Sequence, residues 1–494
     1  MDRAARQVVS NIAPAGSIDV SRVLIIGGGL AGLAAAVRLT ELDYDVTLLE
    51  TRKKLGGRAT SFVDPRSGEV LDNCQHVLMG CCTYLIDFYD RIGVLDTIEW
   101  HTELYWTRGQ GLIDRLKPGW LPAPLHYSGS FGRFKSYTQK EKRHLARAMW
   151  RMIRLGYAGR LAWRERTFLE FLRECGQPDE LIRSYWQVVI VSACNLPVER
   201  VSAEAALQVF QEGFLASKWS SAMGLASVPL WSLYDPAHEA IERAGGKVRL
   251  GVSVKSINFD GSRATGVVTD EGLIESPTII SAVPFDRLDK LVGASMRKAD
   301  ARLQHLESFD VSPILGVHLT FDQPVMDLPH LVLIDRAVHW MFNKGTDQDG
   351  HQHIHAVISA ADDWMPLPEE EIARRVLEDV HHVIPPSRGL EPVRVRAVKE
   401  KRATFAAVPG LDRIRPAAAP GGPGGSNGLA TGGIPNFYLA GDWCDTGWPA
   451  TMEGAVRSGY AAAESISGRS CRVSEVPPGV LAAALGLRSG LAKF

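Results

Sequence analysis

The sequence lacks the features that mark several large classes of protein. No run approaches the about 18 consecutive apolar residues that a membrane-spanning helix requires, and residues 1–20 lack the apolar core of a signal peptide. The formal net charge of −1 provides no global field for nucleic acid, so we expect no nucleic-acid partner. At 494 residues, with 45% hydrophobic and 22% charged residues, the chain is expected to fold into two or three globular domains.

Cysteine is scarce and scattered. The seven cysteines are Cys74, Cys81, Cys82, Cys175, Cys194, Cys444 and Cys471. They form no C-x-x-C pair and no spacing typical of metal ligands, so we expect no metal site. An odd, dispersed set is typical of reduced thiols, which favours a cytoplasmic location.

The stretch Val23–Glu50 predicts a dinucleotide-binding β-α-β unit. The apolar run Val23–Ile26 is typical of a buried parallel strand, a helix is predicted over Leu30–Leu42, and a second strand over Asp45–Leu49. Three glycines follow the first strand with the spacing G-x-G-x-x-G: Gly27, Gly29 and Gly32. Such glycines allow a tight turn, the approach of a pyrophosphate and close helix packing, while the helix N-terminus offers N–H groups to the phosphates.

Residues just beyond this unit favour FAD. Glu50 stands at the tip of the second strand, where a carboxylate can accept hydrogen bonds from ribose hydroxyls. A second glycine pair with an arginine, Gly56-Gly57-Arg58, resembles that of the flavoproteins that include amine oxidases and phytoene desaturases. The predicted cofactor contacts here are Gly27, Gly29, Leu30, Ala31, Gly32, Glu50, Thr51, Arg52, Gly56, Gly57 and Arg58.

Near the C-terminus, a second strand–loop–helix predicts the other half of the cofactor site. A strand over Asn436–Ala440 ends at Gly441-Asp442, and a helix is predicted to begin near Thr451. The acid can bond the ribityl or phosphate region, and the helix start places its positive end where a reduced flavin carries negative charge. The predicted cofactor contacts from this half are Gly441, Asp442, Thr451 and Met452. A further contact, Val254, is predicted from the strand Val252–Ile257.

A polar cluster follows a short strand that is predicted to end near Asp72. Asn73, Gln75 and His76 lie between apolar residues in the sequence VLDNCQHVLMG, residues 70–80. A lone histidine is often structural, but several buried polar side chains need hydrogen-bond partners. A flavin edge or a substrate hydroxyl could supply those partners.

A basic amphipathic helix is predicted over Lys140–Leu155. Its arginines, Arg143, Arg147, Arg151 and Arg154, lie opposite an apolar face, and no acidic residue occurs between Lys142 and Arg164. With the apolar, proline-rich loop Leu116–Tyr127, which includes Trp120, Leu121 and Leu125, this pattern fits a membrane-surface patch. The alternative is an ordinary helix with one core face and one solvated basic face.

The fold class predicted is α/β: a discontinuous Rossmann-like FAD-binding domain, an α+β substrate domain and a helical, membrane-associating subdomain. Residues 100–225 are expected to be mostly helical. The predicted segments are 21–99, 231–295 and 425–470 for FAD binding, 100–230 for the helical subdomain, 296–424 for the substrate domain and 471–494 for a tail. Pro416–Gly433 is predicted to be a flexible low-complexity loop.

Three segments resemble hydroxysqualene dehydroxylase, the squalene-associated FAD-dependent desaturase of bacterial hopanoid synthesis. They are DNCQHVLMG (72–80), LPAPLH (121–126) and AGDWCDTGWPATMEGAVRSG (440–459), within a likeness that runs from about 21 to 470. The resemblance implies that reduced FAD removes the allylic hydroxyl of a C30 isoprenoid, hydroxysqualene, to yield squalene. It also favours a location at the inner face of the cytoplasmic membrane. Cys74 and Cys444 depart from the family pattern in the lining of the site.

This reaction requires a proton donor, because hydroxide is a poor leaving group. His76 and Asp445 are the predicted donors, and Asn73 and Gln75 are expected to orient the substrate through hydrogen bonds. Three alternatives stay open. The first is a phytoene-type or carotenoid-type desaturase that uses oxidised FAD, and the second is an amine oxidase, whose usual lysine and aromatic cage cannot be placed. The third is a non-catalytic prenyl-binding escort on the same fold.

Overall fold

The fold is given by a computed structural model that describes residues 21–421 and 432–488. The predicted leader (1–20), the centre of the predicted Pro416–Gly433 loop (422–431) and the end of the tail (489–494) lie outside the described residues. The strands are β1 (Arg22–Ile26), β2 (Asp45–Glu50), β3 (Ser61–Val63), β4 (Val70–Asp72), β5 (Val77–Met79), β6 (Ile98–His101), β7 (Leu104–Gly109), β8 (Leu112–Leu116), β9 (Met223–Ala226), β10 (Lys247–Leu250), β11 (Val254–Phe259), β12 (Ala264–Thr269), β13 (Gly272–Glu275), β14 (Thr278–Ser281), β15 (Val311–Phe321), β16 (His330–Leu333), β17 (Trp340–Thr346), β18 (Gln352–Ser359), β19 (Arg394–Phe405) and β20 (Phe437–Leu439).

The α-helices are interspersed with short 3₁₀ and π turns. They are α1 (Leu30–Thr40), α2 (Thr83–Arg91), α3 (Ser128–Gly132), α4 (Gln139–Gly159), α5 (Phe168–Glu174), α6 (Asp179–Leu181), α7 (Gln187–Cys194), α8 (Ala203–Gln208), α9 (Asp235–Arg243), α10 (Phe285–Leu291), α11 (Ala294–Ala299), α12 (Glu369–Val383), α13 (Met452–Ser467) and α14 (Val480–Leu485). Among the described residues, none of these helices combines the length and the apolar composition needed to cross a bilayer.

A five-stranded parallel sheet forms the predicted Rossmann-like unit. Its order is β10-β2-β1-β14-β20, and Val23 pairs with Val46 on one side and with Thr278 on the other. Helices α1 and α13 cover one face, where Val23 and Ile25 are fully buried. The antiparallel sheet β11-β12-β13 covers the other face through Ile257 and Val267. The sheet is assembled from distant parts of the chain, which confirms the predicted discontinuous architecture.

A seven-stranded mixed sheet of order β19-β15-β18-β17-β16-β7-β8 forms the α+β unit. Helix α12 covers one of its faces, where Leu315, Val317 and Leu319 from β15 are fully buried. Strands β17 and β19 were not predicted from the sequence. The opposite face carries the side chains that alternate with these core residues, among them His318.

The prediction that residues 100–225 are mostly helical is wrong for residues 100–116. There β7 and β8 join the seven-stranded sheet. Strand β7 runs parallel to β16, and Trp106 pairs with Val332. Leu104 and Trp106 pack against the helical core, where Trp106 is only 3% exposed. Tyr105, on the other face, packs against the core beneath α12. This two-sided burial removes the period-two alternation that identifies a strand in a sequence.

The helical region proper begins at Ser128 and contains the predicted basic helix. Helix α4 starts with a capping box in which Thr138 accepts a hydrogen bond from the N–H of Glu141 and Glu141 bonds back to Thr138. Leu145 and Met152 are fully buried in the helical core. The helical geometry breaks at Gly156, which adopts φ +65°.

Candidate functional site

The glycine loop between β1 and α1 has the geometry that the sequence predicts. Gly27 adopts φ +105°, a region that favours glycine, and donates its N–H to Leu49 O at 2.8 Å. A Cβ on Gly32 would lie 1.9 Å from Gly27 O, so helix α1 can approach the loop only with glycine at this position. Leu30 and Ala31 form the buried first turn of α1, whose free N–H groups point towards the loop.

Glu50 at the end of β2 is held by the backbone. Its Oε2 accepts the Gly28 N–H at 2.7 Å, and its Oε1 accepts the Arg52 N–H at 2.8 Å. Each carboxylate oxygen keeps a further lone pair, so the group can also accept ribose hydroxyls. The predicted neighbours Thr51 and Arg52 are exposed.

The second glycine pair lies directly opposite the first loop. Gly56 donates its N–H to Gly28 O at 2.9 Å, and Gly29 forms a parallel bridge with Gly56. A Cβ on Gly29 would meet only the Cα of Gly57, at 3.9 Å. The two backbones are therefore in direct contact and together form a surface without side chains, which the pyrophosphate of a dinucleotide can approach closely.

The C-terminal half of the site is joined to this loop by an ion pair. Arg58 Nη2 contacts Asp442 Oδ1 at 2.6 Å, and Arg58 also donates to Ala403 O at 2.9 Å. Gly441, immediately before the acid, donates its N–H to Ser458 Oγ at 2.7 Å. Sequence reasoning missed the residue that shapes this loop. Buried Arg415 donates to the carbonyl oxygens of Asp442, Trp443 and Cys444.

Helices α1 and α13 present their N-termini at the same edge of the parallel sheet. Each follows a strand of that sheet, β1 and β20 respectively, and the carboxyl ends of parallel strands lie together. Thr451 caps α13 by accepting the Gly454 N–H at 3.0 Å, and Met452 is the first helical residue. A Cβ on Gly459 would lie 2.3 Å from Ala31 O, so the two helices pack closely.

These features fit FAD. The glycine surface and the α1 N-terminus suit the pyrophosphate, Glu50 suits the adenosine ribose, and the α13 N-terminus suits the electron-rich end of a reduced flavin. Val254 begins β11 and pairs with Thr269, on the sheet that covers the nucleotide-binding strands. The structure thus brings most of the predicted cofactor contacts to one crevice, while their individual roles remain predictions.

The polar cluster after β4 is tied to the seven-stranded sheet. Asp72 is 7% exposed, and its Oδ1 accepts hydrogen bonds from Ser61 Oγ at 2.8 Å and from the Leu230 N–H at 3.1 Å. Its Oδ2 pairs with Lys344 of β17 at 3.1 Å. The backbone carbonyl of Asp72 lies 3.1 Å from His318 Nε2 of β15. The cluster therefore lies where the flavin-binding half meets the substrate half.

Asn73 and Gln75 each form a hydrogen bond to a charged residue of the seven-stranded sheet. Asn73 Nδ2 donates to Glu400 of β19 at 2.9 Å and to Arg58 O at 3.3 Å. Gln75 Oε1 accepts from Lys344 Nζ at 3.4 Å. Asn73 thus links the backbone of Arg58 to an acid of the seven-stranded sheet.

His76 is held through one ring nitrogen. Its Nδ1 lies 3.1 Å from Cys74 O, so Nδ1 carries the proton in the neutral ring and Nε2 faces away. Burial lowers the pKa of His76, an effect that Asp72 and Glu400 partly offset. The same burial raises the pKa of the Cys74 thiol to about 12, so this cysteine stays protonated.

Asp445 lies in the loop between β20 and α13. Its N–H donates to Pro416 O at 2.9 Å, and its Oδ2 is buried. The neighbouring Cys444 is buried beside Asp442 and Arg415, and burial raises its pKa. Asp445 therefore belongs to the α13 side of the crevice, whereas His76 belongs to the β4–β5 side.

The residues that sequence reasoning missed here are Lys344, Glu400 and His318. Each belongs to the seven-stranded sheet and lies more than two hundred residues from its partner in the chain. No local sequence motif predicts these three residues. The alternation within β15 and β19, which places charged and polar residues on one face of the sheet, could have indicated that polar side chains line that face.

Comparison with known proteins identifies relatives that are flavin-containing oxidoreductases or isoprenoid-modifying enzymes. A family described as flavin containing amine oxidoreductase matches residues 30–467. The chain is 26% identical to a 15-cis-phytoene desaturase of Synechococcus elongatus over 91% of the chain and 96% of that protein. It is 27% identical to a hydroxysqualene dehydroxylase of Sinorhizobium fredii over 90% of the chain and 97% of that protein.

A solved structure shows the same fold. Putrescine oxidase bound to putrescine superposes with a TM-score of 0.66 over 91% of the chain and 99% of that structure, at 16% identity. The cofactor is FAD, and the protein is a FAD-dependent oxidoreductase. The chain belongs to the flavin-containing amine oxidoreductase family.

Proposed function

We propose that this flavoprotein removes the allylic hydroxyl of hydroxysqualene reductively and yields squalene. The main support for the proposal is the polar cluster of Asp72, Asn73, Gln75 and His76. Lys344 and Glu400 of the seven-stranded sheet form hydrogen bonds to this cluster. A desaturase acting on a pure hydrocarbon has no leaving group to protonate. A dehydroxylase needs a proton donor and hydrogen-bonding groups for the hydroxyl. The likeness to a hydroxysqualene dehydroxylase over 90% of the chain supports this choice.

The chain's residues would act on the substrate hydroxyl. Asn73 and Gln75 orient the leaving oxygen, while Lys344 and Glu400 hold these two amides in place. A donor protonates the oxygen, water departs, and the allylic cation accepts a hydride. Reduced FAD supplies that hydride when bound. The buried walls of the crevice keep out bulk water, which would otherwise capture the cation.

His76 and Asp445 are the proposed donors, one from each side of the crevice. With Nδ1 bonded to Cys74 O, the protonated His76 would present its Nε2–H as the acidic group. Asp72 and Glu400 favour that cation, whereas burial opposes it. Asp445 is the proposed donor on the α13 side, where its Oδ2 is buried.

The experiment is a product analysis under two redox conditions. The purified holoprotein is incubated anaerobically with hydroxysqualene or with phytoene, once with the flavin reduced and once with it oxidised. We expect squalene only from hydroxysqualene with reduced flavin. Formation of a desaturated product from phytoene with oxidised flavin would instead support a carotenoid-type desaturase, the activity named for several relatives.

We also propose that the protein is cytoplasmic and docks on the inner face of the cytoplasmic membrane, where a long isoprenoid resides. Trp120 is 89% exposed and Leu125 is 41% exposed in the proline-rich loop. The four arginines of α4 are exposed, although Arg151 also pairs with Glu174 at 3.0 Å. Exposed tryptophan and clustered arginine are both features of surfaces that bind anionic lipid.

Vesicle binding tests the docking proposal. Changing Arg143, Arg147, Arg151 and Arg154 to glutamine removes an attraction of about 1 kcal/mol per charge near an anionic surface. The variant should therefore no longer sediment with phosphatidylglycerol vesicles. The matched control changes the exposed Arg374 and Arg375 of α12 to glutamine. Equal binding by the wild type and the quadruple variant would rule out this surface.

A further inference from the structure

Strand β19 contains a bulge beside the flavin crevice. In its pairing with β15, the residues before and after Pro313 lie opposite Thr404 and Glu400, so the three residues Lys401–Ala403 face a single residue of β15. Proline has no N–H to donate to the ladder, which accounts for the break in the pairing at this point. A bulge bends the strand and turns its side chains and carbonyl groups away from their regular positions.

The bulge presents two hydrogen-bond acceptors to residues of the crevice. Ala403 O accepts a hydrogen bond from Arg58 Nη1 at 2.9 Å. Glu400 Oε2 accepts a hydrogen bond from Asn73 Nδ2 at 2.9 Å, and its Oε1 accepts the N–H of Arg402, inside the bulge, at 3.2 Å. The positions of Arg58 and Asn73 therefore depend on the shape of the bulge.

The side chain of Asn195 holds the strand pair at one end of the bulge. Asn195 follows α7 and is only 3% exposed. Its Nδ2 donates to Ser312 O at 3.0 Å and to Thr404 Oγ1 at 2.9 Å, which are the two paired residues next to the bulge. Its Oδ1 accepts the N–H of Ala360, just after β18, at 2.6 Å. One amide therefore joins the end of α7 to three strands of the seven-stranded sheet.

The backbone at this contact is strained. Asn195 adopts φ +54° and Ala360 adopts φ +49°, in the left-handed region that residues other than glycine rarely occupy. Asparagine tolerates this conformation better than alanine does. Strained backbone persists where the surrounding structure enforces it, and it is concentrated near functional sites. The surrounding structure therefore maintains the contact between Asn195 and Ala360.

We infer that Asn195 is a positioning residue for the flavin crevice. It acts through the bulge of β19, whose Ala403 carbonyl and Glu400 carboxylate hold Arg58 and Asn73. The inference rests on the predicted contact of Arg58 with FAD. It does not depend on the proposed dehydroxylation, which makes no use of Asn195.

The affinity for FAD tests the inference in the purified holoprotein. The holoprotein is diluted, and the flavin released is measured after ultrafiltration to give the dissociation constant. Thr404→Val keeps the shape of the side chain and removes one acceptor of Asn195, whereas Asn195→Asp keeps the acceptor for Ala360 and removes both donor contacts. We expect Thr404→Val to weaken FAD binding roughly fivefold and Asn195→Asp about tenfold or more.

The matched controls alter the same kind of contact on another sheet. Asn258 Nδ2 of β11 donates to Thr265 Oγ1 of β12 at 2.6 Å. Thr265→Val and Asn258→Asp therefore make the same chemical changes away from the bulge. Both controls should leave the dissociation constant of FAD unchanged.

A double-mutant cycle separates positioning from a general loss of stability. Arg58→Met keeps an unbranched side chain and removes the guanidinium that contacts Ala403 O. If Asn195 acts through the bulge, Thr404→Val and Asn195→Asp should each weaken FAD binding less than about twofold in the Arg58→Met background, because the changes break one chain of contacts. Thr404→Val decides the outcome alone if Asn195→Asp does not fold.

Two results would overturn the inference. The first is wild-type affinity for FAD in both Thr404→Val and Asn195→Asp. The second is an undiminished effect of these changes in the Arg58→Met background, which would show that Asn195 supports the fold in general. Failure of the dehydroxylation assay alone would leave the inference intact, since FAD release is measured without turnover.

Discussion

The nucleotide-binding crevice and the polar cluster are built in different ways. In the glycine-loop half of the crevice, the main contacts join residues close in sequence, such as Gly28 with Glu50 at 2.7 Å. In the polar cluster, the main contacts cross between sheets, such as Asn73 with Glu400 at 2.9 Å. The glycine-loop half of the crevice is therefore largely specified within one β-α-β unit. The cluster exists only when two units are assembled.

This difference predicts different responses to mutation. A change in the crevice should affect cofactor binding and leave the rest of the fold intact. A change in the cluster should leave FAD bound while it alters rate, pH dependence or the stability of the junction. Three of the four predictions that follow test this separation, and the third concerns a buried histidine elsewhere in the seven-stranded sheet.

The largest effect is expected for Glu50→Arg. This change removes the acceptor for the ribose hydroxyls and for the Gly28 N–H, and hydrogen bonds to charged groups contribute about 1.5–3 kcal/mol each. We expect most of the FAD to be lost at purification, as measured by the ratio of flavin to protein absorbance, with an unchanged circular dichroism spectrum. Glu50→Gln, which keeps one acceptor oxygen, is the control and should retain more FAD. Full flavin occupancy in Glu50→Arg would contradict the assignment.

The next effect concerns turnover. Because a positioned acid contributes about 10²–10⁴-fold to the rate, His76→Ala or Asp445→Asn should lose most dehydroxylation while the flavin spectrum is retained. The matched control is Val77→Ala, next to His76 but partly exposed. Near wild-type rates in both donor variants would show that the acid is another group or a water molecule.

The third prediction concerns pH and stability. Burial beside His101 lowers the pKa of His330 from 6.5 to about 3. Between these values the unfolded chain binds more protons than the folded chain, so stability falls as the pH falls below 6.5. At pH 5 we expect His330 to contribute a loss of about 2 kcal/mol relative to neutral pH, in addition to the losses from other buried histidines such as His318 and His339, whose pKa burial also lowers.

Urea unfolding at pH 7 and pH 5 measures this loss. His330→Phe, which retains a ring against Tyr105 and Trp340, should reduce the pH dependence by about the same 2 kcal/mol. The control is Thr346→Ala at the exposed end of β17, which changes no titratable group and should leave the dependence unchanged. An identical pH dependence in wild type and His330→Phe would refute the prediction.

The smallest effect is expected at the junction. Lys344→Gln leaves Asp72 Oδ2 without its cation, although Ser61 and Leu230 still satisfy Oδ1. Since Lys344 is 27% exposed, we expect a loss of about 1 kcal/mol in the free energy of unfolding. FAD content should not change, and Lys401→Gln on an exposed position of β19 is the control. A loss of FAD from Lys344→Gln would show that the two regions are not separable in this way.

The sequence predicted the crevice better than the cluster for a physical reason. Glycine spacing and an acid at a strand tip impose their geometry locally, so Gly27, Gly32 and Glu50 could be placed without knowledge of the fold. The parallel sheet and helices α1, α4 and α13 follow from similar local patterns. Lys344 and Glu400 have no such signature, because their partners come from another sheet.

The failed part of the fold prediction has a related cause. Strands β7 and β8 are packed on both sides, so residues 104–116 lose the alternation that would have separated them from the helices that follow. Likewise, nothing in the local sequence shows that Arg415 bonds three consecutive carbonyl groups of the loop after β20. Contacts of this kind depend on the assembled chain.

We propose that the reduced FAD of this protein is oxidised when a hydroxyl group leaves the substrate. A single-turnover experiment, in which the reduced holoprotein is mixed anaerobically with hydroxysqualene, tests this proposal. We expect recovery of the oxidised flavin absorbance with one squalene formed per flavin, and a slow recovery in His76→Ala or Asp445→Asn. A flavin that stays reduced in the presence of saturating hydroxysqualene would refute the proposal.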